Sequence, residues 1–390
     1  MKKYASVLLM IFVLVLSGCR KGNTDAEAVF SMPEASAESV LMDRTFPASK
    51  EYVELTGRTA EDNGIRWLIH SASKAEFRMT GTRASVVICA DDSIHGEEKN
   101  FARIAVYVNG QRTMDHIVTA AEETLEVFSS DEEKTVEISI IKLSEALCSI
   151  VGIKEIQVTS SCDIESLPEH DRKIEFIGDS VTCGYGIDDE NPTHDFSTAT
   201  EDVTKTYAYK TAQALNADYS FVSYSGYGIV SGYTPDGTRA DSKLVPPIYE
   251  ILGKTDSNAA LSCLSAGWDF SEFVPDEIVI NLGTNDDCYT KGDSAKEEEF
   301  ISLYVDFLKM IRQDNPGAHV IASLGLMQDN LYPAIEEAVE RYTAETRDEN
   351  ISVLHFMPQD GSTGYAADMH PTEKTNDIAA RTLIDHLDSE

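Results

Sequence analysis

The hydrophobic pattern of this 390-residue chain changes its period near residue 165. Before that point apolar residues alternate with polar ones. In "FARIAVYVNGQ", for example, Ala102, Ile104 and Val106 share one strand face, and Asn-Gly follows as a hairpin turn signal. After it, short apolar strands alternate with helical segments, as in "HVIASLG" followed by "LYPAIEEAVERYTAET". The change of period therefore predicts a β-sandwich of the jelly-roll kind followed by an α/β fold, a parallel sheet with helices on both faces.

These patterns place the β-sandwich domain at residues 46–165 and the α/β domain at residues 168–390. Two domains suit a chain of this length, because single cores rarely grow beyond about 250–300 residues. One predicted helix runs from Glu299 to Ile311, where the apolar residues recur with helical spacing.

The first residues have the composition of a secretory leader. Two lysines precede an unbroken apolar run from Val7 to Leu16. That run is shorter than the roughly 20 apolar residues that a membrane-spanning helix needs. It therefore predicts a signal peptide over residues 1–18.

The sequence "LSGC" at the end of this leader resembles a bacterial lipobox, which implies that Cys19 is lipidated and becomes the mature N-terminus. The alternative is an ordinary leader in which Cys19 is incidental. Residues 19–45 are polar, small and weakly patterned, as expected of a tether. The sequence thus predicts a membrane-anchored lipoprotein at the bacterial cell surface or in the periplasm.

The formal net charge of the chain is −35, from 32 Lys and Arg residues against 67 Asp and Glu residues. Nucleic-acid binding requires a basic surface, so the sequence predicts no nucleic-acid partner. A neutral polysaccharide or a small ester is compatible with this charge. The six cysteines after residue 19 are widely spread, without a CxxC pair or ligand-like histidine spacing, and predict no zinc site.

Four residues could support nucleophilic catalysis: three follow predicted strands, and the fourth precedes the last helix. Ser180 follows "KIEFIGD", Gly226 follows "FVSYS", Asn285 lies in "NLGTND", and His370 lies in "ADMHPTE". In a parallel sheet the carboxyl ends of the strands share one edge, so these segments can meet in one cleft. Each residue alone also has a structural explanation, such as a helix cap for Ser180 or a turn for Asn285. Their coincidence favours a serine hydrolase, in which a base activates the hydroxyl and donors hold the oxyanion.

The blocks "GDS", "GTND" and "DMHP", with a glycine between the first two, resemble the SGNH (GDSL-type) hydrolase superfamily. Its four name residues match Ser180, Gly226, Asn285 and His370 of this chain. The resemblance implies that Ser180 is the nucleophile and His370 the base. It also implies oxyanion donors at the N–H groups of Ser180 and Gly226 and at the side-chain amide of Asn285. Chemistry of this kind needs no metal and no organic cofactor.

With a β-sandwich in front of these blocks, the chain is similar to carbohydrate esterase family 2, bacterial deacetylases of plant polysaccharides. The resemblance covers nearly all of residues 46–390. It implies removal of O-acetyl groups from polysaccharides such as xylan or glucomannan, with an acetylated polysaccharide or oligosaccharide as the partner. Two alternatives stay open: an SGNH esterase or thioesterase acting on another small or lipid ester, and a non-catalytic glycan-binding surface lipoprotein.

The last block departs from the usual SGNH spacing of Asp-x-x-His. Position 367 is alanine, and Asp368 stands only two residues before His370. Either Asp368 completes a catalytic triad from a shifted position, or the enzyme works as a Ser–His dyad. Members of the esterase family that this chain resembles can work as such a dyad, with a backbone carbonyl orienting the imidazole.

Overall fold

The computed structural model describes residues 40–257, 261 and 263–389. The predicted signal peptide over residues 1–18 and the lipidation site Cys19 lie outside these residues, as does most of the tether predicted over residues 19–45. Within the described part of the chain, no helix combines the length and the apolar character needed to cross a bilayer.

The first half is an antiparallel β domain whose ten strands form one hydrogen-bonded sheet. The strands are β1 (Met42–Phe46), β2 (Glu54–Thr56), β3 (Thr59–Asp62), β4 (Ile65–Leu68), β5 (Lys74–Ala90), β6 (Arg103–Val108), β7 (Gln111–Ile117), β8 (Glu122–Lys142), β9 (Val151–Ser160) and β10 (Glu165–Ser166). The main order is β3-β4-β9-β5-β8-β6-β7; β1 pairs with β9, and β2 and β10 pair with β5. One contiguous apolar core lies within this domain and includes Phe77, Ile104 and Ile138, all fully buried.

Local sequence explains the two features that shape this sheet. Asn109 and Gly110 join β6 to β7 with φ values of 51° and 75°, as a type I′ hairpin turn requires. The long strands β5 and β8 change register twice, between Gly81 and Arg83 and between Ala84 and Ser85. Such irregularities bend a strand.

The second half contains a parallel sheet of five strands in the order β12-β11-β13-β14-β15. The strands are β11 (Arg172–Gly178), β12 (Ala217–Ser223), β13 (Glu277–Asn281), β14 (His319–Leu324) and β15 (Ile351–His355). The helices are α1 (Ser180–Cys183), α2 (Tyr207–Ala214), α3 (Pro246–Tyr249), α4 (Thr284–Thr290), α5 (Ser294–Asp314), α6 (Tyr332–Thr346) and α7 (Glu373–Leu387). Two separate apolar clusters, each containing residues of this sheet and of the helices, form its core. The predicted fold class, a β domain followed by an α/β domain, is confirmed.

The register of the parallel sheet brings the strand ends to one level. Gly178 at the end of β11 pairs with Ser223 at the end of β12 and with Asn281 at the end of β13. The segments that carry Ser180, Gly226 and Asn285 leave the sheet after these positions, so they begin at the same edge.

One buried arginine joins the β domain to the parallel sheet. Arg58 is fully buried and donates hydrogen bonds to the carbonyls of Tyr249 and Ile251, each at 2.6 Å. Its guanidinium lies 3.5 Å from a carboxylate oxygen of Glu175 on β11 and 5.0 Å from the ring centre of Trp268. The residues from Val40 onward accordingly form one compact unit.

Candidate active site

The serine predicted as the nucleophile lies at a sharp turn between β11 and the short helix α1. Asp179 caps this helix, because its Oδ1 accepts a hydrogen bond from the N–H of Val181 at 3.0 Å. Gly178 is required, because a Cβ there would lie 2.1 Å from the hydroxyl of the threonine four residues later. Gly184 ends the helix in the left-handed conformation, with φ of 85°. The turn thus places Ser180 at the carboxyl edge of the sheet.

The structure brings Ser180 together with His370, although 190 positions separate them. Ser180 Oγ lies 2.9 Å from His370 Nε2, and His370 Nδ1 lies 3.2 Å from the carbonyl oxygen of Ala367. A carbonyl oxygen can only accept, so in the neutral ring Nδ1 carries the proton and donates it, and Nε2 accepts from the Ser180 hydroxyl. The pair therefore has the geometry of a nucleophile and its general base.

Burial sets the ionisation of this histidine. Loss of hydration disfavours the imidazolium and lowers the pKa of His370 to about 4. The hydrogen bond to the Ala367 carbonyl and the negative charge of Asp368 act in the opposite direction, but they are weaker than the burial effect. At neutral pH the ring is therefore neutral and able to accept a proton.

Asp368, the sequence candidate for a third triad member, bonds through its carboxylate to Tyr185, while the ring nitrogens of His370 bond to Ala367 and Ser180. Its backbone and that of Met369 are left-handed, with φ values of 49° and 63°. Asp368 Oδ2 accepts a hydrogen bond from the hydroxyl of Tyr185 at 2.6 Å. The acceptor that faces His370 Nδ1 is instead the Ala367 carbonyl. Of the two arrangements left open by the sequence, this geometry corresponds to the dyad.

Tyr185 connects the displaced carboxylate to the histidine. Its ring stacks on the imidazole of His370, with 4.0 Å between ring centres and 18° between ring planes. The electron-rich face of a tyrosine stabilises a cation placed over it. Tyr185 therefore fixes the plane of the base and offers a favourable surface to the imidazolium that forms during catalysis.

Two backbone N–H groups at the sheet edge that carries the nucleophile are suited to hold an oxyanion. Within the described residues, neither the N–H of Ser180 nor that of Gly226 donates a hydrogen bond to another protein group. Gly226 has a left-handed backbone with φ of 78°, and its carbonyl accepts a hydrogen bond from the N–H of Tyr233 at 2.8 Å. The sequence predicts these two N–H groups as oxyanion donors, and in this geometry both remain available to an oxyanion.

The third expected donor, Asn285, lies in the first turn of α4 with its amide already engaged. Its Nδ2 donates to the carbonyl of Tyr227 at 2.8 Å and to Asp179 Oδ2 at 3.1 Å. A primary amide has two N–H groups, so donation to an oxyanion requires exchange of one of these bonds, and the longer one is to Asp179. Burial raises the pKa of Asp179 to about 7, with a contribution from the nearby charge of Asp286.

Asp286 was not singled out in the sequence, yet it fixes the loop that follows Gly226. Its fully buried carboxylate accepts hydrogen bonds of 2.7–3.1 Å from the three N–H groups of residues 229–231. A signal was present, since an aspartate follows Asn285 directly at the end of an apolar strand. The stacking of Tyr185 on His370 had no comparable local signal.

One group of buried side chains outside the Ser–His pair has the composition of a metal site. An oxygen of Glu145, an oxygen of Glu201 and the sulfur of Cys183 lie within 4.8 Å of one another. The ammonium of Lys142 is fully buried in the same region, and its charge interacts with both glutamates. The ammonium of Lys142 therefore already supplies a positive charge to these two glutamates.

Two family models match the chain. The GDSL-like lipase/acylhydrolase family matches residues 176–378, and the carbohydrate esterase 2 N-terminal domain matches residues 55–168. Among curated relatives, a cellulase/esterase of Acetivibrio thermocellus is 30% identical over 80% of this chain, which spans 36% of that protein. An acetylxylan esterase/glucomannan deacetylase of Cellvibrio japonicus is 25% identical over 88% of this chain and 90% of its own length.

Solved structures agree with these matches. An acetyl xylan esterase from the rumen bacterium Butyrivibrio proteoclasticus superposes with a TM-score of 0.80 at 25% identity, covering 90% of this chain and 98% of that chain. A family two carbohydrate esterase from Clostridium thermocellum in complex with cellohexaose gives a TM-score of 0.75 at 28% identity, covering 86% and 98%.

Proposed function

We propose that this chain is a serine esterase that removes O-acetyl groups from polysaccharides such as xylan or glucomannan. The chain belongs to the GDSL-like lipase/acylhydrolase family and carries the N-terminal domain of carbohydrate esterase family 2. The observation that carries the proposal is the hydrogen bond from Ser180 Oγ to His370 Nε2. The N–H groups of Ser180 and Gly226, which have no acceptor among the described residues, support it.

The reaction begins with attack of Ser180 Oγ on the acetyl carbonyl carbon. His370 Nε2 takes the hydroxyl proton, and the imidazolium is held by the Ala367 carbonyl at Nδ1 and by the face of Tyr185. The carbonyl oxygen becomes an oxyanion, which the N–H groups of Ser180 and Gly226 stabilise in a site with little access to water.

Collapse of the tetrahedral intermediate breaks the bond between the acyl carbon and the sugar oxygen. The imidazolium of His370 returns its proton to that oxygen, so the sugar leaves as a neutral alcohol and Ser180 stays acetylated. A water molecule then attacks the acetyl group and gives its proton to His370. Collapse of this second tetrahedral intermediate breaks the bond between the acyl carbon and Ser180 Oγ, and the imidazolium of His370 returns the proton to that oxygen. Acetic acid leaves and ionises to acetate, with Ser180 and His370 restored to their starting states.

Charge and surface composition support a glycan as the substrate. The net charge of −35 suits a neutral polymer better than an anionic one. Tyr233, whose N–H holds the carbonyl of Gly226, is 53% exposed and offers an aromatic face near the donors. The relatives with solved structures include an acetyl xylan esterase and an esterase bound to cellohexaose.

The site of action is part of the proposal and rests on the sequence alone. A lipid on Cys19 would hold the enzyme at the bacterial surface or in the periplasm, with residues 19–45 as the tether. Two acyl chains provide stable membrane attachment, whereas a single chain binds reversibly.

The proposal is tested by acetate release from acetylated xylan and by hydrolysis of 4-nitrophenyl acetate and of a long-chain 4-nitrophenyl ester. The wild-type protein should cleave the acetyl substrates and leave the long-chain ester nearly intact. Ser180→Ala should abolish the activity, since loss of a catalytic serine removes about a millionfold in kcat. The control is Ser323→Ala, a buried serine that donates to the carbonyl of Ile280 at 2.8 Å.

Three outcomes would contradict the proposal. Preference for the long-chain ester would indicate a lipid esterase. Residual activity of Ser180→Ala above about a thousandth of the wild type would point to another nucleophile. Binding of the glycan without hydrolysis would indicate a non-catalytic lectin.

A further inference from the structure

A glutamate of the β domain reaches the loop that carries the oxyanion donor. Glu145 lies in the loop between β8 and β9 and is 1% exposed. Its Oε2 accepts a hydrogen bond from the backbone N–H of Ser225 at 2.9 Å. Ser225 immediately precedes Gly226, so the contact fixes the peptide next to the one that faces the oxyanion.

Further contacts hold this glutamate in place. Its own N–H donates to Glu201 Oε2 at 2.9 Å, and Glu201 is also fully buried. The thiol of Cys183, the last residue of helix α1, points at Glu145 Oε2 from 4.0 Å. Glu145 therefore contacts the oxyanion loop and the helix that begins with Ser180 at the same time.

The positive charge of Lys142 lowers the free-energy cost of burying these two glutamates. Lys142 is fully buried and donates to the carbonyl of Ser144, and its charge interacts with both glutamates. Burial raises the pKa of Glu145 and of Glu201, and the positive charge of Lys142 acts in the opposite direction on both. A buried carboxylate with a nearby cation and a backbone donor is a stable acceptor for the N–H of Ser225.

We propose that Glu145 is a positioning residue for catalysis. By accepting the N–H of Ser225, this residue of the β domain holds Gly226 in the position where the N–H of Gly226 meets the oxyanion. The inference rests on the proposed esterase function and assigns the β domain a part in building the active site. An oxyanion donor acts only when it lies about 2.7–3.1 Å from the developing charge. A loop released from Glu145 would lose that placement while the Ser180–His370 pair stays intact.

The distinguishing feature of such a role is a change in kcat without a change in KM. Donors aimed at the oxyanion interact with the transition state and not with the bound ester, so their displacement lowers kcat. A residue that merely stabilises the fold would change the melting temperature and the fraction of active protein. It would leave the KM and the kcat per folded molecule as they were.

The experiment compares Glu145→Ala and Glu145→Gln with the control Glu175→Gln. Glutamine keeps an oxygen that can accept the Ser225 N–H, whereas alanine removes it. Glu175 is also a buried glutamate at the junction with the β domain, where it meets Arg58 at 3.5 Å instead of the oxyanion loop. The readouts are kcat and KM for 4-nitrophenyl acetate, thermal unfolding, and hydrogen–deuterium exchange of the segment that contains Ser225.

Glu145→Ala should lower kcat at least tenfold at unchanged KM and speed exchange of the Ser225 amide. Glu145→Gln should stay within about threefold of the wild type, and Glu175→Gln should lose thermal stability while keeping kcat. The proposal is overturned if folded Glu145→Ala retains wild-type kcat or protection, if its defect lies only in KM, or if Glu175→Gln loses equal activity. If the wild-type protein hydrolyses no ester, the proposed function fails, and the exchange data still decide whether Glu145 holds the loop.

Discussion

Replacing Asp368 with alanine should lower kcat by less than tenfold, whereas replacing His370 with alanine should remove nearly all activity. The reason is the geometry of the base. His370 Nδ1 donates to the carbonyl of Ala367 at 3.2 Å, and the carboxylate of Asp368 instead accepts from the hydroxyl of Tyr185 at 2.6 Å. Loss of Asp368 therefore leaves the tautomer and the Ser180–His370 bond in place.

The size of the effect follows from what the substitution removes. A hydrogen bond to a charged group contributes about 1.5–3 kcal/mol, but the bond lost here is made by Tyr185 and not by the base; 1.4 kcal/mol corresponds to about tenfold in rate. In Asp368→Ala the ring of Tyr185 still stacks on His370 but is held less firmly. We therefore expect the loss in kcat to be at most about tenfold. If a carboxylate were hydrogen-bonded directly to the histidine base, its removal would lower kcat by about ten-thousandfold. The two arrangements thus differ by about three orders of magnitude.

The assay is steady-state hydrolysis of 4-nitrophenyl acetate near neutral pH by Asp368→Ala, Tyr185→Phe and the double variant. Phenylalanine keeps the ring over His370 and removes the hydroxyl. If Asp368 acts only through that hydroxyl, the double variant should be no slower than the worse single variant. A loss near ten-thousandfold for Asp368→Ala would refute the reasoning and show that the shifted aspartate completes a triad.

Three further predictions address the donor, the base and the anchor. Asn285→Ala should lower kcat by about a hundred- to a thousandfold with KM unchanged, and a change confined to KM would make Asn285 a substrate-positioning residue. The acid limb of kcat/KM should lie near pH 4, where His370 gains a proton. Asp368→Asn removes a charge that raises this pKa, so the limb should move to lower pH in that variant; a move to higher pH would contradict this. Cys19→Ser should abolish lipidation and shift the protein out of the detergent phase, and unchanged partitioning would argue against a lipid anchor.

The architecture was predictable because its signals are local and repeated. Each strand of the parallel sheet has an apolar run, and the Asn-Gly pair between β6 and β7 marks its hairpin. Boundaries were less predictable. The sequence indicates a helix from Glu299 to Ile311, whereas α5 covers Ser294–Asp314. Its first turn lies outside the apolar pattern and is held by the cap Asp293, which accepts from two N–H groups.

Some parts of the candidate site were also predictable from the sequence, and others were not. Ser180, Gly226, Asn285 and His370 could be assigned because each lies in a short block at a strand end or before a helix. The acceptor of His370 Nδ1 could not be assigned, because it depends on the left-handed backbone at residues 368–369, where neither residue is glycine. Contacts such as those of Glu145 with Ser225 join distant segments and leave no pattern in the sequence.

The buried arginine between the two domains has a consequence for how such proteins arise. Recombination that exchanged the β domain for an unrelated module would remove Arg58 and leave Glu175 buried without its cation, while the carbonyls of Tyr249 and Ile251 would lose their donors. Breaking a buried ion pair from one side typically destabilises by about 3–5 kcal/mol, a large fraction of the roughly 5–15 kcal/mol that keeps a domain folded. The two modules are therefore expected to pass through evolution as a single heritable unit, and a working chimaera would need compensating substitutions on both sides of the junction.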